Sequence, residues 1–253
     1  MLVQLSDSHI GADWGDGDSV PRLAAAVAAV LAVVPSPEAV LVSGDLVDHG
    51  ADAEYEQVRE LLAPLEASLY VLPGNHDDRS ALRRHFDVPG ADAEPVQYAV
   101  GLGALRLVVI DTTRAGEERG DLDARRLAWL QATLAEDPDV PTLVAMHHAP
   151  VVTGIPGFDE LALPPDDRRA FGEVVARHPH VRRIVAGHMH RTLSAGLAGR
   201  SVLVAPSTYV QARLELGAQE IELSSEPRGF AVHAFLDGEL VSHVQLVPEG
   251  AQP

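Results

Sequence analysis

The chain has 253 residues, of which 46% are hydrophobic and none is cysteine. This length and apolar content are typical of one α/β domain with a substantial core, and the absence of thiols excludes disulfides and cysteine-ligated metals. The 37 acidic residues outnumber the 19 basic ones, and the formal charge of −18 disfavours a nucleic-acid partner because phosphate backbones are repelled.

Every basic residue is arginine, and the chain contains no lysine. Schiff-base chemistry and the lysine of a phosphate-binding Walker loop are therefore excluded. An anionic substrate needs local positive charge, and in so acidic a chain bound divalent cations would be its main source. Their ligands would have to be imidazole, carboxylate or amide groups.

Short apolar runs alternate with helix-like segments through most of the chain, which predicts βαβ units and a largely parallel sheet. The predicted strands are 2–5, 39–42, 69–72, 105–110, 142–145 and 183–185, and the predicted helices are 21–34, 53–65, 80–86, 123–134 and 166–177. From residue 192 the helical period fades into apolar runs at 201–205, 229–236 and 240–247. Asp237-Gly238 predicts a tight hairpin between the last two runs, and we expect a second, mostly antiparallel sheet packed on the first.

The pattern predicts a single domain over residues 1–247 and a frayed polar tail over 248–253. An apolar run begins at residue 2 and the first candidate ligand is residue 7, which leaves no room for a leader peptide. No apolar stretch has the length of a bilayer span. A cytoplasmic protein without a membrane partner is therefore expected.

Polar side chains follow the predicted strands, where the loops of an open α/β sheet converge on a ligand. The segments are Asp7-Ser8-His9, Gly44-Asp45 with Asp48, Gly74-Asn75-His76-Asp77, His147-His148, Gly187-His188-Met189-His190 and a flanking Pro206-Ser207-Thr208. Alternate residues of an extended segment point the same way, which predicts that Asp7 pairs with His9 and His188 with His190. Asp45 is the candidate for a carboxylate that bridges two cations.

The ordered motifs resemble the calcineurin-like metallophosphoesterase superfamily. Within it, residues 73–79, 146–150 and 205–208 with Gln211 resemble class III cyclic-nucleotide phosphodiesterases and bacterial glycerophosphodiesterases. The resemblance extends over about residues 1 to 211. It implies a four-layer α/β/β/α sandwich, in which two mixed sheets are flanked by helices.

The resemblance also implies a centre of two divalent metal ions, with Mn, Fe, Zn or Co as candidates. The implied ligands of one metal are Asp7, His9 and His190, those of the other are Asn75, His147 and His188, and Asp45 is shared. A hydroxide that bridges the metals would then attack a small phosphodiester in line. The implied substrate is a cyclic nucleotide or a glycerophosphodiester, and the implied assembly is a homodimer.

Further roles follow from the same resemblance. His76 is expected to contact the phosphoryl oxygen or to protonate the leaving group, with Asp77 orienting its imidazole. Asp48 is expected to steady a ligand or the loop at Asp45. Asn75, His76 and His148 are expected to contact the substrate.

Other interpretations remain open at this stage. In isolation, His147-His148 is more typical of core histidines, and Asp45 and Asp48 of turn or cap residues. A pyrophosphatase of nucleoside-diphosphate derivatives would be favoured by an apolar groove beside the metals. A non-catalytic scaffold of the same fold would take up no metal.

Three further segments affect the interpretation. His178 and His180 lie at a helix end without a preceding strand, and packing is the favoured role. The acidic loop at residues 11–20 contains Trp14 and lacks the closing glutamate of a calcium loop, so a flexible lid is favoured. This loop and Tyr209-Val210 depart from the relatives near the expected pocket, which leaves the substrate open.

Overall fold

The computed structural model describes residues 1–247, and the tail predicted for 248–253 lies outside the described residues. The helices are α1 (Ser19–Leu31), α2 (Asp52–Leu62), α3 (Arg79–His85), α4 (Ala124–Glu136), α5 (Pro156–Leu161) and α6 (Pro165–Ala176). The strands are β1 (Leu2–Leu5), β2 (Ala39–Ser43), β3 (Ser68–Leu72), β4 (Tyr98–Leu102), β5 (Leu105–Val109), β6 (Thr142–Ala145), β7 (Val181–Ala186), β8 (Leu193–Leu197), β9 (Arg200–Val204), β10 (Gln211–Ala212), β11 (Leu223–Ser224), β12 (Arg228–Leu236) and β13 (Glu239–Val247).

Two large mixed sheets form the centre of the fold, as the resemblance implied. One has the order β13-β12-β1-β2-β3 and the other the order β4-β5-β6-β7-β9-β8. Strands β1, β2 and β3 are parallel, and so are β5, β6 and β7. The remaining partners in the two sheets are antiparallel, except that β9 runs parallel to β7.

Three buried clusters show that the layers stack as helix, sheet, sheet and helix. Leu41 of the first sheet and Leu143 of the second share the cluster between the sheets. Val40, the neighbour of Leu41, faces the opposite way and packs with α1 and α2. On the other side, Val144 packs with α4 and α6. This alternation is expected of strands that are buried on both faces.

The expected grouping of the C-terminal strands into one sheet is wrong. The β12–β13 hairpin turns at Asp237-Gly238 as predicted, but it extends the first sheet because β12 pairs antiparallel with β1. Strands β8 and β9 instead extend the second sheet beside β7. The apolar pattern indicates that a strand exists. The strand with which it pairs depends on which sheet edge is still unpaired at that point of the chain.

Five short elements lie outside the predicted set, namely β4, β8, β10, β11 and α5. Strand β4 forms a hairpin with β5, and α5 begins at Pro156, where the missing N–H of proline costs nothing. None of the helices within residues 1–247 is long and apolar enough to cross a bilayer.

Candidate metal centre

The loops after β1, β2, β3, β6 and β7 converge at the carboxyl edges of the two sheets, as the strand-end argument predicted. Overlapping groups of acidic and imidazole side chains lie there, and in each group one potential ligand atom per residue lies within 4.8 Å of the others. The groups are Asp7, His9 and His190; Asp7, Asp45 and His147; His9, Asp45 and His76; and His147, His148 and His188.

Five of these residues have left-handed backbone conformations. The φ angles are 54° at Asp7, 43° at His9, 49° at Asp45, 70° at His188 and 46° at His190. Such angles are unfavourable for residues other than glycine, and where they persist they commonly belong to functional sites. The chain therefore bends sharply after β1, β2 and β7, where it turns these side chains inward.

This bending makes the expected pairing of His188 with His190 wrong. The pairing assumed an extended segment, but the left-handed turns send the two side chains to different groups. His188 lies with His147, whereas His190 lies with Asp7 and His9. Asp7 and His9 do share one group, although their backbone is also left-handed.

Two glycines allow the strand ends to approach each other. A Cβ atom on Gly74 would lie 2.2 Å from Oδ1 of Asp45, and one on Gly44 would lie 2.3 Å from Nδ1 of His147. Gly44 also has a φ of 95°. A larger residue at either position would displace a candidate ligand.

His9 and His190 form the outer part of the site. Nδ1 of His9 donates to Oδ1 of Asp48 at 3.0 Å, and Nδ1 of His190 donates to the carbonyl of Val210 at 2.9 Å. The two Nε2 atoms therefore face each other with lone pairs, 3.0 Å apart. Two lone pairs at this distance repel unless a cation lies between them.

His147 and His188 form the inner part. Nδ1 of His147 donates to the carbonyl of Ser43 at 2.9 Å, so its Nε2 directs a lone pair toward Oδ1 of Asn75 and Oδ2 of Asp45, each 3.2 Å away. Nε2 of His188 is buried and has no hydrogen-bond partner among the described residues. A buried nitrogen without a partner, grouped with the imidazoles of His147 and His148, fits a cation site.

The pKa shifts reflect burial and the competing charges around each group. Burial lowers the pKa of His147, but the charge and hydrogen bond of Asp45, together with Asp7 and the Ser43 carbonyl, outweigh it and raise the pKa to about 9. Burial raises the pKa of Asp45, but His147 and His9 hold it well below its usual range. Burial and the charge of His9 lower the pKa of His190 to about 3.

In His188 and Asp7 the pKa shifts mainly through burial. Burial and the charge of His148 hold the pKa of His188 well below its usual range. Burial raises the pKa of Asp7 to about 6, with a further rise from Asp45 that His147 opposes. The centre combines carboxylate and amide oxygens with imidazole nitrogens, which is the donor set expected from the sequence.

His148 differs from the other imidazoles because both of its ring nitrogens are engaged. Nε2 donates to the carbonyl of Glu118 at 3.0 Å, and Nδ1 accepts from the hydroxyl of Thr112 at 2.9 Å. The side chain is buried, and burial followed by the charge of His147 lowers its pKa to about 3. The ring packs against His188 with 4.5 Å between centroids, so in this structure it buttresses the inner part of the site.

The expected contact between Asp77 and the His76 imidazole is wrong. The Asp77 carboxylate accepts from the backbone of Gly74 and Leu46 and from the hydroxyl of Tyr55. It therefore ties the loop after β3 to the loop after β2. Burial and the charge of Asp45 raise the pKa of Asp77 to about 6.

The His76 ring is positioned by Asp48 instead. Its Nδ1 donates to the Asp48 carbonyl at 2.9 Å and lies 3.3 Å from Oδ1 of the same residue. Because Oδ1 of Asp48 also holds His9, this one residue supports both a candidate ligand and the His76 imidazole. Asp48 thus contacts a candidate ligand, His9.

Several supporting residues were not predicted. The indole of Trp14 donates to Asp48 at 2.9 Å, and Tyr209 accepts from the backbone of Gly15 at 2.9 Å. Ser207 donates to the carbonyl of Asp7 at 2.8 Å, which explains why its motif flanks the others. Trp14 and Tyr209 gave a signal in the sequence because their segments depart from the relatives, and Ser207 did so through the motif that flanks the others.

The minor histidine motif lies away from the centre. His178 contacts Gln131 at 2.8 Å and stacks edge-on with His180, with 5.4 Å between ring centroids. Neither residue belongs to a potential metal-binding group among the described residues. These contacts agree with the packing role favoured from the sequence.

A family model described as calcineurin-like phosphoesterase matches residues 2–192. The chain is 33% identical to the glycerophosphodiester phosphodiesterase GpdQ of Enterobacter lignolyticus, with 83% of this chain and 78% of the relative covered. It is 31% identical to the 3′,5′-cyclic adenosine monophosphate phosphodiesterase CpdA of Vibrio vulnificus, with 99% and 91% covered.

The fold also matches a crystal structure of a dimetal phosphatase from Danio rerio. The TM-score is 0.76 at 17% identity, and the match covers 98% of this chain and 96% of that chain. The two sheets and the edge where their loops converge define a phosphoesterase of the two-sheet sandwich class. This chain belongs to the calcineurin-like phosphoesterase family.

Proposed function

We propose that this protein is a metal-dependent phosphodiesterase that hydrolyses cyclic nucleotides or glycerophosphodiesters. Relatives named as phosphodiesterases of both kinds support the reaction class. The observation that carries the proposal is the set of imidazole lone pairs that face one another and face carboxylate and amide oxygens across short distances. That arrangement is stable when divalent cations lie between the groups.

The proposed ligands form two halves that share Asp45. The outer half consists of Asp7, His9 and His190. The inner half consists of Asn75, His147 and His188. The donor set is compatible with Mn, Fe, Zn or Co, because imidazole and carboxylate accept several first-row ions.

When bound, two divalent ions at such a site lower the pKa of bound water and stabilise the charge on attacking and leaving oxygens. The chain's own residues prepare the site for this chemistry. Asp48, Ser43 and Val210 hold the Nδ1 protons of three imidazoles and thereby direct the three Nε2 lone pairs inward. A fixed tautomer of this kind strengthens a ligand and orients its ring.

His76 is the proposed contact to the phosphoryl group or the leaving oxygen. Its Nδ1 is held by the Asp48 carbonyl, so Nε2 is the atom that can hold or release a proton. The side chain is 32% exposed and lines the same cavity as His9, Asp45 and His190. It is therefore the imidazole of the site that a substrate can reach directly.

A pyrophosphatase is the second candidate, and the cavity gives it some support. The cavity has apolar walls, and a neighbouring cavity of about 180 Å³ contains Arg79 and Arg114 beside Asn75 and His76. Both arginines are already paired, however, Arg79 with Asp111 at 2.7 Å and Arg114 with Glu117 at 3.1 Å. A second phosphate would have to displace these carboxylates, so a diester with one charge is favoured.

The test is a hydrolysis screen of the Mn-loaded protein against a 3′,5′-cyclic nucleotide, a glycerophosphodiester and a nucleoside-diphosphate sugar. Hydrolysis of either diester above the diphosphate sugar is the expected result. Preferential hydrolysis of the diphosphate sugar would transfer the proposal to the second candidate. A protein that takes up no transition metal by mass spectrometry would support the scaffold interpretation.

A small phosphoester substrate is part of this proposal. The homodimer and the cytoplasmic location expected from the sequence stay predictions. Size-exclusion chromatography with light scattering tests the first, and fractionation of the source cells tests the second.

A further inference from the structure

The cavity over the metal centre combines a polar floor with apolar walls. It has a volume of about 170 Å³. The floor consists of candidate ligands and His76, and the remaining lining residues are Trp14, Glu118, Phe158, Leu161, Ala212, Ile221 and Leu223. Glu118 is the only charged residue of that wall set. The walls therefore offer apolar surface to whatever the phosphoryl group carries.

An aromatic side chain lies beside each half of the centre. Trp14 is 39% exposed, and its ring centroid lies 5.1 Å from that of His9 and 5.9 Å from that of His190. On the inner side, the ring of Phe158 lies 6.3 Å from that of His188. Trp14 is held in place because its indole nitrogen donates to Asp48.

The rest of the apolar wall is built by α5 and the segment between β10 and β11. Gly157 donates its backbone N–H to the carbonyl of Ala218 at 3.1 Å, and Gly217 donates to Gly154 at 2.9 Å. The contact is close, since a Cβ atom on Gly157 would lie 2.5 Å from the carbonyl oxygen of Gln219. This fixed wall keeps two large apolar residues at the surface beside the cavity.

Ile221 and Leu223 are these two residues, and they are 38% and 42% exposed. Exposed apolar surface in a cavity that also contains polar groups is typical of a ligand site, because a ligand that covers it gains free energy. Glycerol offers hydroxyl groups that such a wall cannot satisfy. A nucleobase offers a flat apolar face and stacks on an indole ring.

On the basis of the proposed function, we propose that Trp14, Ile221 and Leu223 bind the base of a cyclic nucleotide and make this protein selective for nucleotides over glycerol esters. Trp14 provides the stacking surface beside the outer half of the centre. Ile221 provides aliphatic contact from the segment between β10 and β11, and Leu223 does so from the first position of β11. A cyclic phosphodiester carries a single negative charge. No arginine is among the residues that line the cavity, so the walls offer no guanidinium group to bind a second negative charge.

The experiment compares the steady-state kinetics of four variants with 3′,5′-cyclic AMP and with glycerophosphoethanolamine. Trp14→Ala and Leu223→Ala should raise KM for cyclic AMP, by about tenfold for Trp14→Ala, because removal of one stacking partner weakens base binding by that order. In Leu223→Ala, KM for glycerophosphoethanolamine should change less than twofold. Leu216→Ala is the matched control, since Leu216 is 71% exposed in the same segment but does not line the cavity.

Trp14→Phe separates stacking from support of Asp48. Phenylalanine keeps an aromatic face but cannot donate to Asp48, so Trp14→Phe should retain most of the affinity for cyclic AMP. If Trp14→Ala and Trp14→Phe reduce kcat equally for both substrates, Trp14 acts through Asp48 and His9 and the proposal is overturned.

A binding measurement makes the test independent of turnover. In a Trp129→Phe background, Trp14 is the only tryptophan, since the chain has two. AMP should quench its fluorescence at concentrations where glycerol 3-phosphate does not. Quenching without hydrolysis of either diester would support the base site and count against the proposed function, whereas equal responses to both ligands would overturn the base site.

Discussion

The inner and outer halves of the candidate metal centre contain the same kinds of side chain but are held by different means. In the inner half, a backbone carbonyl fixes His147, and the buried ring of His148 packs against His188. In the outer half, the carboxylate of Asp48 fixes His9. The Asp48 contact also connects to His76 and Trp14, which line the cavity.

Backbone carbonyls therefore fix His147 in the inner half and His190 in the outer half, whereas His9 depends on one replaceable side chain, that of Asp48. A backbone carbonyl remains when any side chain is changed, so no single substitution removes the contact to His147. Substitution of Asp48 removes the contact to His9 directly. The outer half should therefore be the half whose affinity for metal can be altered without damage to the core.

The largest effect is expected where the two halves meet. Asp45→Asn removes the negative charge that the halves share. Because this charge stabilises cations at the reacting centre, the rate of hydrolysis should fall by on the order of 10³-fold. Metal content, measured by mass spectrometry, should fall below two ions per chain. The matched control is Asp166→Asn, whose carboxylate is 88% exposed on α6, and near-normal turnover of Asp45→Asn would remove Asp45 from the site.

Removal of one imidazole from each half should separate the two ions. We expect His188→Ala and His190→Ala each to retain about one metal ion per chain, since each variant leaves the other half intact. Hydrolysis should fall by at least about 100-fold in both, because both ions act on the reacting group. Two ions per chain in either purified variant would contradict the division into halves.

A smaller effect is expected from Asp48→Asn. An asparagine keeps the shape but weakens the contact to Nδ1 of His9, and loss of such a partner typically lowers metal affinity by about 10- to 100-fold. In a His188→Ala background, Asp48→Asn should weaken the remaining ion by that factor, as measured by competition with a chelator. In a His190→Ala background the metal affinity should stay the same. Equal weakening in both backgrounds would show that Asp48 does not act on the outer half alone.

The smallest effect concerns stability and lies outside the centre. Burial, followed by the charge of Arg183, lowers the pKa of His233 to about 3, while its ring contacts Gln4 and Ser242. Below an unfolded pKa of about 6.5 the unfolded chain binds the proton and the folded chain does not, so stability falls as the pH falls. Between pH 7.5 and 5.5 the contribution is about 1.4 kcal/mol.

His233→Gln keeps a polar group at this position but does not titrate. The melting temperature of the wild-type chain should therefore fall by about 4 °C more than that of the variant between these pH values, as measured by calorimetry. Parallel profiles for the two proteins would show that His233 is not held neutral in the fold. This measurement leaves the metal centre unchanged and serves as a baseline for the three preceding tests.

The strand-end argument brought the candidate ligands together correctly because each one directly follows a strand of a sheet whose loops converge. The direction of each side chain could not be predicted in the same way. An extended segment was assumed at His188 and His190, whereas the backbone there is left-handed. Asp77 was assigned to His76 because the two are adjacent in sequence, but its carboxylate joins loops that come from different strands.

Sheet membership was also beyond the sequence pattern. Val232 of β12 lies beside Val3 of β1, more than two hundred positions earlier in the chain. The alternation of apolar residues in β12 would suit either sheet. Its partner is decided by which edge remains open after the other strands have paired, and this is a property of the whole fold.

The left-handed residues at the strand ends have a consequence for how this protein can change over evolutionary time. Each such angle at a residue other than glycine costs about 1–3 kcal/mol, so the five together lower the free energy of unfolding. Mutations to glycine or asparagine there would relax the chain and raise its melting temperature while removing ligands. The five strained residues therefore lower the stability of the fold and are retained at positions where each one supplies a candidate ligand.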